Sequence, residues 1–381
     1  MGRTRHVKAY IDNDVLSEAR LRLHHVHDIF DSVLVAFSGG KDSLATLHLA
    51  RQVAAERGLP DSVRVVFRDE ELIPPSVVAF VDHYRQLDWI DMDWYAVPLE
   101  SNKYMLGASE RYVQWDPDRQ WVRPKPDWAL DNAALGFPSH HVFDQYTMDA
   151  VAARNSRGKT AILTGVRADE SLMRFRAMTA KLSENYINTV DKRISTVKPI
   201  FDWSEDDVFR FFYDYGITYC PTYDFQLFAK EPLRVSTPLH AERAKRLDNL
   251  RAYEPVFYDQ VMAVFPEMAV QERYYRELDR EALMARYGSD LNGVQAWIED
   301  NITDEHQLAK ALRELRSMRI KQAKTPESYP SDYVLQQFMA GAYKRSITAL
   351  SMNQQAQRRG KAKVGPPGTT YHCEPGKHEG P

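Results

Sequence analysis

The sequence contains only two cysteines, Cys220 and Cys373, among its 381 residues. Two cysteines exclude both a disulfide framework and a four-cysteine zinc site, and they fit a reducing compartment. No apolar run approaches the roughly 20 residues that cross a bilayer, and the charged N-terminus lacks the apolar stretch of a signal peptide. A net charge of −3 argues against a chain that binds polyanions over its whole surface. We therefore expect a cytoplasmic protein that makes no contact with membranes.

The first half of the chain alternates short β-branched runs with helical patterns. Apolar runs at 33–37, 63–67, 92–97 and 160–165 predict buried strands, and the segments 42–57, 74–84 and 142–154 predict helices between them. Strands separated by helices indicate an α/β fold with a parallel, doubly wound sheet. Ligands of such sheets bind at the carboxyl ends of the strands.

Composition divides the chain into three parts. Residues 1–240 are predicted to form the α/β domain, which is interrupted at 100–140 by an insertion rich in tryptophan, tyrosine and arginine. Residues 241–352 are predicted to be helical and highly charged, with a capping signature at the start of 303–322. Residues 353–381 have the glycine and proline content of a flexible tail.

A turn with the composition of an anion site follows the first predicted strand. It is the phosphate loop, and it comprises Ser38, Gly39, Gly40, Lys41, Asp42 and Ser43. Glycines allow close approach of a ligand, and main-chain amides at a helix N-terminus attract phosphate. The hydroxyls add donors and the lysine adds a positive charge, and Asp42 can either cap the helix or hold Mg²⁺. We expect the amides of this turn to face a bound phosphate.

A second loop at a strand end, residues 165–176, is rich in arginine and is called the arginine loop below. Gly165 follows the fourth predicted strand, and Arg167, Glu170 and Arg174 come after it. Guanidinium groups bind phosphate or sulfate oxygens in a bidentate manner, so we predict that Arg167 and Arg174 contact the substrate. The alternative is that they form surface ion pairs with Glu170 or Asp169.

Together these segments resemble the PP-loop ATP pyrophosphatases, and in particular their phosphoadenosine phosphosulfate (PAPS) reductase-like branch. The similar segments are residues 38–43, 67–75, 165–174, 199–208 and 215–224. The resemblance implies an adenine nucleotide alpha hydrolase-like, Rossmann-like fold, and cleavage of ATP between its α- and β-phosphates. It implies nucleotide-binding roles for Ser38, Gly39, Gly40, Lys41, Asp42, Ser43, Phe67, Asp69, Gly165, Arg167 and Glu170.

Charge suggests how such a site would act. Attack at the α-phosphorus places negative charge on the phosphoryl oxygens and on the departing pyrophosphate, which the phosphate loop, Lys41 and Mg²⁺ at Asp42 would stabilise. Arg167 and Arg174 would hold the α-phosphate or the other end of the substrate. The resemblance places adenine near Phe67, contacted largely by main-chain atoms.

Three functions follow from these residues. The first is adenylyl transfer with release of pyrophosphate. The second is a PAPS or adenylylsulfate reductase, or a sulfurtransferase, in which Cys373 is the nucleophile; the tail order around Cys373 departs from the E-C-G-x-H pattern of true PAPS reductases. The third is a non-catalytic protein that senses nucleotides. Cys373 could also be an unreactive tail cysteine or, with His372 and His378, a partial metal site, whereas Cys220 is predicted to be buried and structural.

Other features concern partners. The acid-free stretch from Tyr333 to Cys373 carries six basic residues between 344 and 363, which indicates either contact with nucleic acid or a solvated tail. The aromatic insertion is predicted to be a lid over the nucleotide, with base stacking as the alternative. A sulfur-donor or modification partner protein is a further possibility that the family resemblance raises. Trp203 is predicted to be a core aromatic.

Overall fold

A computed structural model of the chain describes residues 11–106, 108–179, 184–274, 280–302, 304–352, 354, 355 and 358. The chain divides into two compact units, Met1–Glu277 and Leu278–Pro381. The helices between residues 241 and 277 therefore belong to the first unit. The predicted domain boundary at 240 stays a prediction. No helix in the described part of the chain is long and apolar enough to cross a bilayer.

The strands of the described residues all lie in the first unit. They are β1 (Ser32–Ala36), β2 (Val63–Arg68), β3 (Ile90–Tyr95), β4 (Leu99–Met105), β5 (Ala108–Gln114), β6 (Thr160–Leu163), β7 (Ile187–Thr189) and β8 (Ile194–Val197). Six of them form one sheet in the order β3-β2-β1-β6-β8-β7, which is parallel except for the edge strand β7. The strands β4 and β5 form a separate antiparallel hairpin.

The helices of the first unit connect and cover the sheet. They are α1 (Val15–Ile29), α2 (Lys41–Glu56), α3 (Pro75–Arg85), α4 (Gln145–Ala152), α5 (Leu172–Thr179), α6 (Glu205–Tyr215), α7 (Thr222–Phe228), α8 (Ala241–Ala244), α9 (Leu247–Tyr253), α10 (Pro255–Val264) and α11 (Met268–Tyr274). The second unit contains α12 (Arg280–Tyr287), α13 (Leu291–Asn301), α14 (Glu305–Lys324) and α15 (Ser331–Met339).

Both faces of the sheet are buried, because successive side chains of each strand point to opposite faces. Val35 packs in the cluster that includes α1, α2, α3 and α6, whereas its neighbour Leu34 packs in the cluster that includes α4. This two-sided burial is the reason why the strands appear in the sequence as continuous apolar runs. The predicted α/β fold with a parallel doubly wound sheet is confirmed.

The individual predictions agree with these elements to within a few residues. The four predicted strands are β1, β2, β3 and β6, and the three predicted helices are α2, α3 and α4. The third of these helices begins at Gln145 rather than at 142, because the side chain of Asp144 caps it by accepting from the amide of Thr147. The predicted helix 303–322 is α14, which Asp304 caps; Thr303 lies outside the described residues.

The insertion predicted at 100–140 consists of the β4–β5 hairpin followed by irregular chain. Two isolated bridges hold the irregular chain: Leu130 pairs with Tyr95 of the edge strand β3, and Phe143 pairs with Leu99 of the hairpin strand β4. The chain that follows β5 carries Trp115, Trp121 and Trp128, the first of which is fully buried. The tryptophans therefore divide between a buried anchor and more exposed positions.

Candidate nucleotide site

The phosphate loop connects the carboxyl end of β1 to the first residue of α2. Gly39 has a φ of +74°, and a Cβ atom there would lie 2.8 Å from Cγ2 of Val81. Gly40 is the residue at which α2 is capped, and the helix begins at Lys41. The turn is therefore tight, glycine is required at position 39, and the loop lies at the positive end of a helix of 16 residues.

Hydroxyl groups hold three of the loop amides. The amide of Ser38 donates to Oγ of Ser43 over 3.1 Å, and that of Gly40 to Oγ of Ser38 over 3.3 Å. The amide of Lys41 donates to the phenol oxygen of the buried Tyr223 over 2.7 Å. The expectation that all of these amides face an open cradle is therefore wrong for this state of the loop. Because the acceptors are neutral hydroxyls, an anionic phosphate oxygen would be a stronger acceptor at each position.

The phosphate loop and the arginine loop touch through their backbones. A Cβ atom on Gly165 would lie 2.3 Å from the carbonyl carbon of Asp42 and 2.5 Å from the nitrogen of Ser43. The strands that precede these loops, β1 and β6, are parallel neighbours. On one side of this pair the sheet continues to β2 and β3, and on the other side to β8 and β7, so the loops meet at the topological switch point.

The cations of the two loops bind the same carboxylate. Nε of Arg167 lies 2.7 Å from Oδ1 of Asp42, and Nζ of Lys41 lies 3.2 Å from Oδ2. Arg167 is 3% exposed and Lys41 is 4% exposed. Lys41 also donates to the carbonyl of Leu233 over 3.0 Å and pairs with Glu205. In this state the charges predicted to meet phosphate are directed at protein oxygens.

Asp42 does not fit a role as a protein ligand of Mg²⁺ in this arrangement. Each of its two carboxylate oxygens lies next to a cation of the protein. Within the described ranges, no group of three or more histidine, cysteine, aspartate or glutamate side chains is placed to hold a metal ion. The Mg²⁺ prediction therefore finds no support in the residues present.

Glu170 and Arg174 organise the arginine loop itself. Oε1 of Glu170 accepts from the amide of Arg167 over 3.0 Å, and Oε2 of Glu170 pairs with the guanidinium of Arg174. Arg174 is 43% exposed. The ion-pair alternative therefore describes Arg174 in this structure, and Glu170 acts through the backbone of Arg167.

Phe67 and Asp69 lie at the carboxyl end of β2, where their side chains are buried. The ring of Phe67 packs edge-on against Trp94 with centroids 4.5 Å apart. Asp69 accepts from the indole nitrogen of Trp94 over 2.9 Å and pairs with Arg123 of the insertion. Neither side chain is directed to an open site, so any contact that Phe67 makes with adenine would involve its main chain.

Sequence reasoning missed two residues of this region. Tyr223 lies in the predicted segment 215–224, yet nothing in the sequence indicates that its hydroxyl meets an amide 182 positions away. Glu71 is fully buried and binds Arg119 through two hydrogen bonds of 3.0 and 2.6 Å. The positive φ of Glu71, 58°, cannot be inferred from its residue type.

The core predictions for the other singled-out residues are confirmed where they can be checked. Trp203 is buried and donates its indole N–H to the carbonyl of Val15 over 3.0 Å. Cys220 is buried, and burial raises the pKa of its thiol to about 11. Cys373, His372 and His378 lie outside the described residues, as does nearly all of the 353–381 tail; Lys344 and Arg345 are within them.

An α/β sheet with a glycine turn and an arginine loop at its switch point defines a nucleotide-binding protein of the PP-loop type. Residues 32–228 match the family described as phosphoadenosine phosphosulfate reductase domain, and the chain belongs to this family. The matched segment covers β1 to α7, and therefore both loops.

Comparison with individual proteins gives more distant likenesses. The uncharacterised protein YbdN of Escherichia coli K12 is 27% identical over 259 residues, which are 64% of this chain and 63% of YbdN. The chain thus spans less than two thirds of that relative. A Candida glabrata FMN adenylyltransferase with ATP is 13% identical at a TM-score of 0.34, covering 55% of this chain and 57% of its own. A Candida auris PAPS reductase is 13% identical at a TM-score of 0.31, and the match covers 58% of this chain and 90% of that reductase.

Proposed function

We propose that this chain binds ATP at the two loops and cleaves the bond between its α- and β-phosphates, transferring an adenylyl group and releasing pyrophosphate. The observation that carries the proposal is the meeting of the phosphate loop and Gly165 at the switch point, where the two backbones approach too closely for any side chain. Membership of the PAPS reductase domain family supports it. A cytoplasmic location is part of the same proposal.

Binding of ATP would exchange partners within the loops. Phosphate oxygens would replace the hydroxyls of Ser38, Ser43 and Tyr223 on the loop amides. The same negative charge would draw Lys41 and Arg167 from their shared carboxylate toward the phosphates. These two cations would then stabilise charge that develops on the α-phosphate and on the departing pyrophosphate, which makes them the principal catalytic candidates. Arg174 stays a candidate for the same role after release from Glu170.

The test uses ATP labelled in its α-phosphate, with products separated by chromatography. We expect labelled AMP or an adenylated acceptor together with unlabelled pyrophosphate. Arg167→Ala should lower the rate at least about 100-fold, the usual cost of one electrostatic stabiliser. The matched control is Arg210→Ala, because Arg210 is exposed and, among the residues that the structure describes, its ion pair is with the nearby Asp214. Labelled ADP with free orthophosphate would contradict the proposal.

A second candidate is reduction of a sulfonucleotide, which the family name favours. That chemistry needs a thiolate, and the buried Cys220 with its pKa of about 11 stays protonated at neutral pH. Cys373 is the remaining cysteine of the sequence. Release of sulfite from PAPS in the presence of a thiol reductant, abolished by Cys373→Ser and retained in Cys220→Ser, would establish it.

The remaining predictions concern nucleotide binding without catalysis, and binding partners. A nucleotide-sensing protein would bind ATP and show no turnover in the labelling test. Contact of the basic 344–363 stretch with nucleic acid, and supply of sulfur or an acceptor by a partner protein, stay proposals that rest on charge and on the family.

A further inference from the structure

Three consecutive carboxylates follow β2, and two of them hold the insertion. Asp69 pairs with Arg123, and Glu71 binds Arg119 and the amides of Trp115 and Val122. Glu70 lies between them; its main-chain carbonyl accepts from the amide of Leu72, whereas its carboxylate has no hydrogen bond or ion pair within the described part of the chain. Asp69 and Glu71 therefore have structural roles, whereas the carboxylate oxygens of Glu70 are available to a ligand.

Glu70 lies on the rim of the sheet that carries the candidate site. It follows β2, the parallel neighbour of β1, so its backbone leaves the sheet beside the strand that precedes the phosphate loop. The β5 side of the insertion faces it through Tyr112, whose phenol lies within electrostatic range of the carboxylate. The half-buried Glu70 is thus a neighbour of the hairpin strand β5.

Gln114, on the same strand as Tyr112, has a side-chain oxygen without a partner. Gln114 is 1% exposed, and its Nε2 donates to the phenol of Tyr112 over 3.5 Å. Its Oε1 is buried and has no hydrogen-bond partner. Buried acceptors without partners are rare in folded proteins, because a buried polar atom that makes no hydrogen bond has lost its contact with water without compensation. The oxygens of Gln114 and Glu70 therefore both suit a ligand that donates hydrogen bonds.

Burial favours the protonated form of Glu70. Burial raises the pKa of the Glu70 carboxyl above its ordinary value, the Asp69 carboxylate raises it further, and the Arg68 guanidinium lowers it. Burial also raises the pKa of Tyr112, although hydrogen bonds with Gln114, Thr237 and Ser101 act in the opposite direction. Tyr112 therefore stays protonated near neutral pH, whereas Glu70 becomes a better proton acceptor than an exposed glutamate.

We propose that Glu70 is the general base of the adenylyl transfer and that Gln114 binds the same acceptor molecule. This inference rests on the proposed function. The acceptor would be a hydroxyl compound or water: its oxygen forms a bond to the α-phosphorus, the bond from that phosphorus to the bridging oxygen breaks, and pyrophosphate leaves. The proton of the acceptor hydroxyl passes to Glu70. A positioned base of raised pKa contributes about 100- to 10,000-fold to such a step.

The experiment measures pyrophosphate release from ATP in buffer, with water as the acceptor, and ATP binding by calorimetry. Glu70→Gln should reduce release by about 100-fold or more, while the Kd for ATP changes less than twofold. The rate of the wild type should rise with pH through the ionisation of Glu70, and Glu70→Gln should lose this limb. Glu70→Asp should recover part of the rate. The control Glu110→Gln alters an exposed glutamate of the same hairpin and should match the wild type.

The outcomes separate the two proposals. If wild type releases pyrophosphate and Glu70→Gln does so at the same rate with the same pH profile, the general-base inference is overturned and the proposed function stands. If Glu70→Gln loses ATP binding in proportion to activity, the residue acts in nucleotide binding, and the inference is again wrong. If the wild type binds ATP and releases no pyrophosphate, both proposals fall.

Discussion

At the scale of single residues, Tyr223 is the clearest case of a protein group standing where a ligand is expected. Its phenol accepts from the amide of Lys41, and Nζ of Lys41 lies 5.6 Å from the centroid of its ring. Burial raises the pKa of Tyr223 well above its ordinary value, so the hydroxyl stays neutral. The tyrosine therefore completes the loop when no phosphate is bound, and competes with phosphate for one amide.

Removal of the Tyr223 hydroxyl should separate its contribution to stability from its competition with phosphate. Tyr223→Phe leaves a buried amide without an acceptor, which should destabilise the protein by about 1–3 kcal/mol. The same amide becomes available to ATP, so ATP should raise the melting temperature of Tyr223→Phe by more than it raises that of the wild type. Melting curves with and without ATP test this. A smaller rise in the variant would mean that the tyrosine contacts the nucleotide directly.

At the scale of secondary-structure elements, the insertion depends on one buried glutamate. Glu71 accepts two hydrogen bonds from Arg119 and one each from the amides of Trp115 and Val122. These bonds fix the chain that follows β5 to the loop that follows β2. If the insertion is the aromatic lid that the sequence predicts, the hydrogen bonds to Glu71 would fix it to the sheet.

Loss of this attachment should cost far more than loss of a surface pair. Glu71→Ala leaves Arg119 and two amides without their acceptor, and removal of one partner from a buried pair costs about 3–5 kcal/mol. Glu100→Ala breaks the exposed pair between Glu100 and Arg111 in the same insertion, which should cost less than about 1 kcal/mol. Urea unfolding of both variants measures the difference. Equal losses would refute the assigned role of Glu71.

The elements that the sequence predicted share strong local signals. The strands β1, β2, β3 and β6 are continuous apolar runs, and the two loops are recognisable by glycine and arginine at fixed spacing. Among the elements that were missed, β7 has only three residues, β8 has only four, and α1 buries only Ala19, Leu23 and Val26 on an otherwise polar surface. Such elements are specified by tertiary packing and not by local pattern.

The site was predictable as a set of loops and not as a set of contacts. The pair between Asp42 and Arg167 joins residues 125 positions apart, and no local pattern shows that a predicted metal ligand is neutralised by a predicted phosphate ligand. Asp69, Glu70 and Glu71 are equally acidic in the sequence. Only their partners in the fold distinguish the two that bind arginine from the one that does not.

At the scale of the whole molecule, the two units differ in their elements and in their balance of charged residues. The first unit holds the sheet, both loops and the insertion. The second unit has its own apolar core, which includes Val294, Leu315 and Phe338. By sequence the second unit has 15 basic against 12 acidic residues, in a chain whose net charge is −3. We therefore propose that the first unit carries the nucleotide chemistry and that an anionic partner binds the second.

The central claim is that the turn after β1 binds the phosphates of an adenine nucleotide, and calorimetry of ATP binding tests it most directly. Gly40→Val places methyl groups in the turn, because even a Cβ atom there would lie 3.2 Å from Oγ of Ser38 and from the hydroxyl of Tyr223. Gly58→Ala is the control for strain alone: nothing lies within 4 Å of its added Cβ, whereas its φ of +65° makes alanine unfavourable at a position outside the phosphate loop. We predict ATP binding by the wild type and Gly58→Ala, weakened at least about tenfold, or 1.4 kcal/mol, in Gly40→Val. Absence of binding in the wild type, or equal binding in Gly40→Val, would contradict the account.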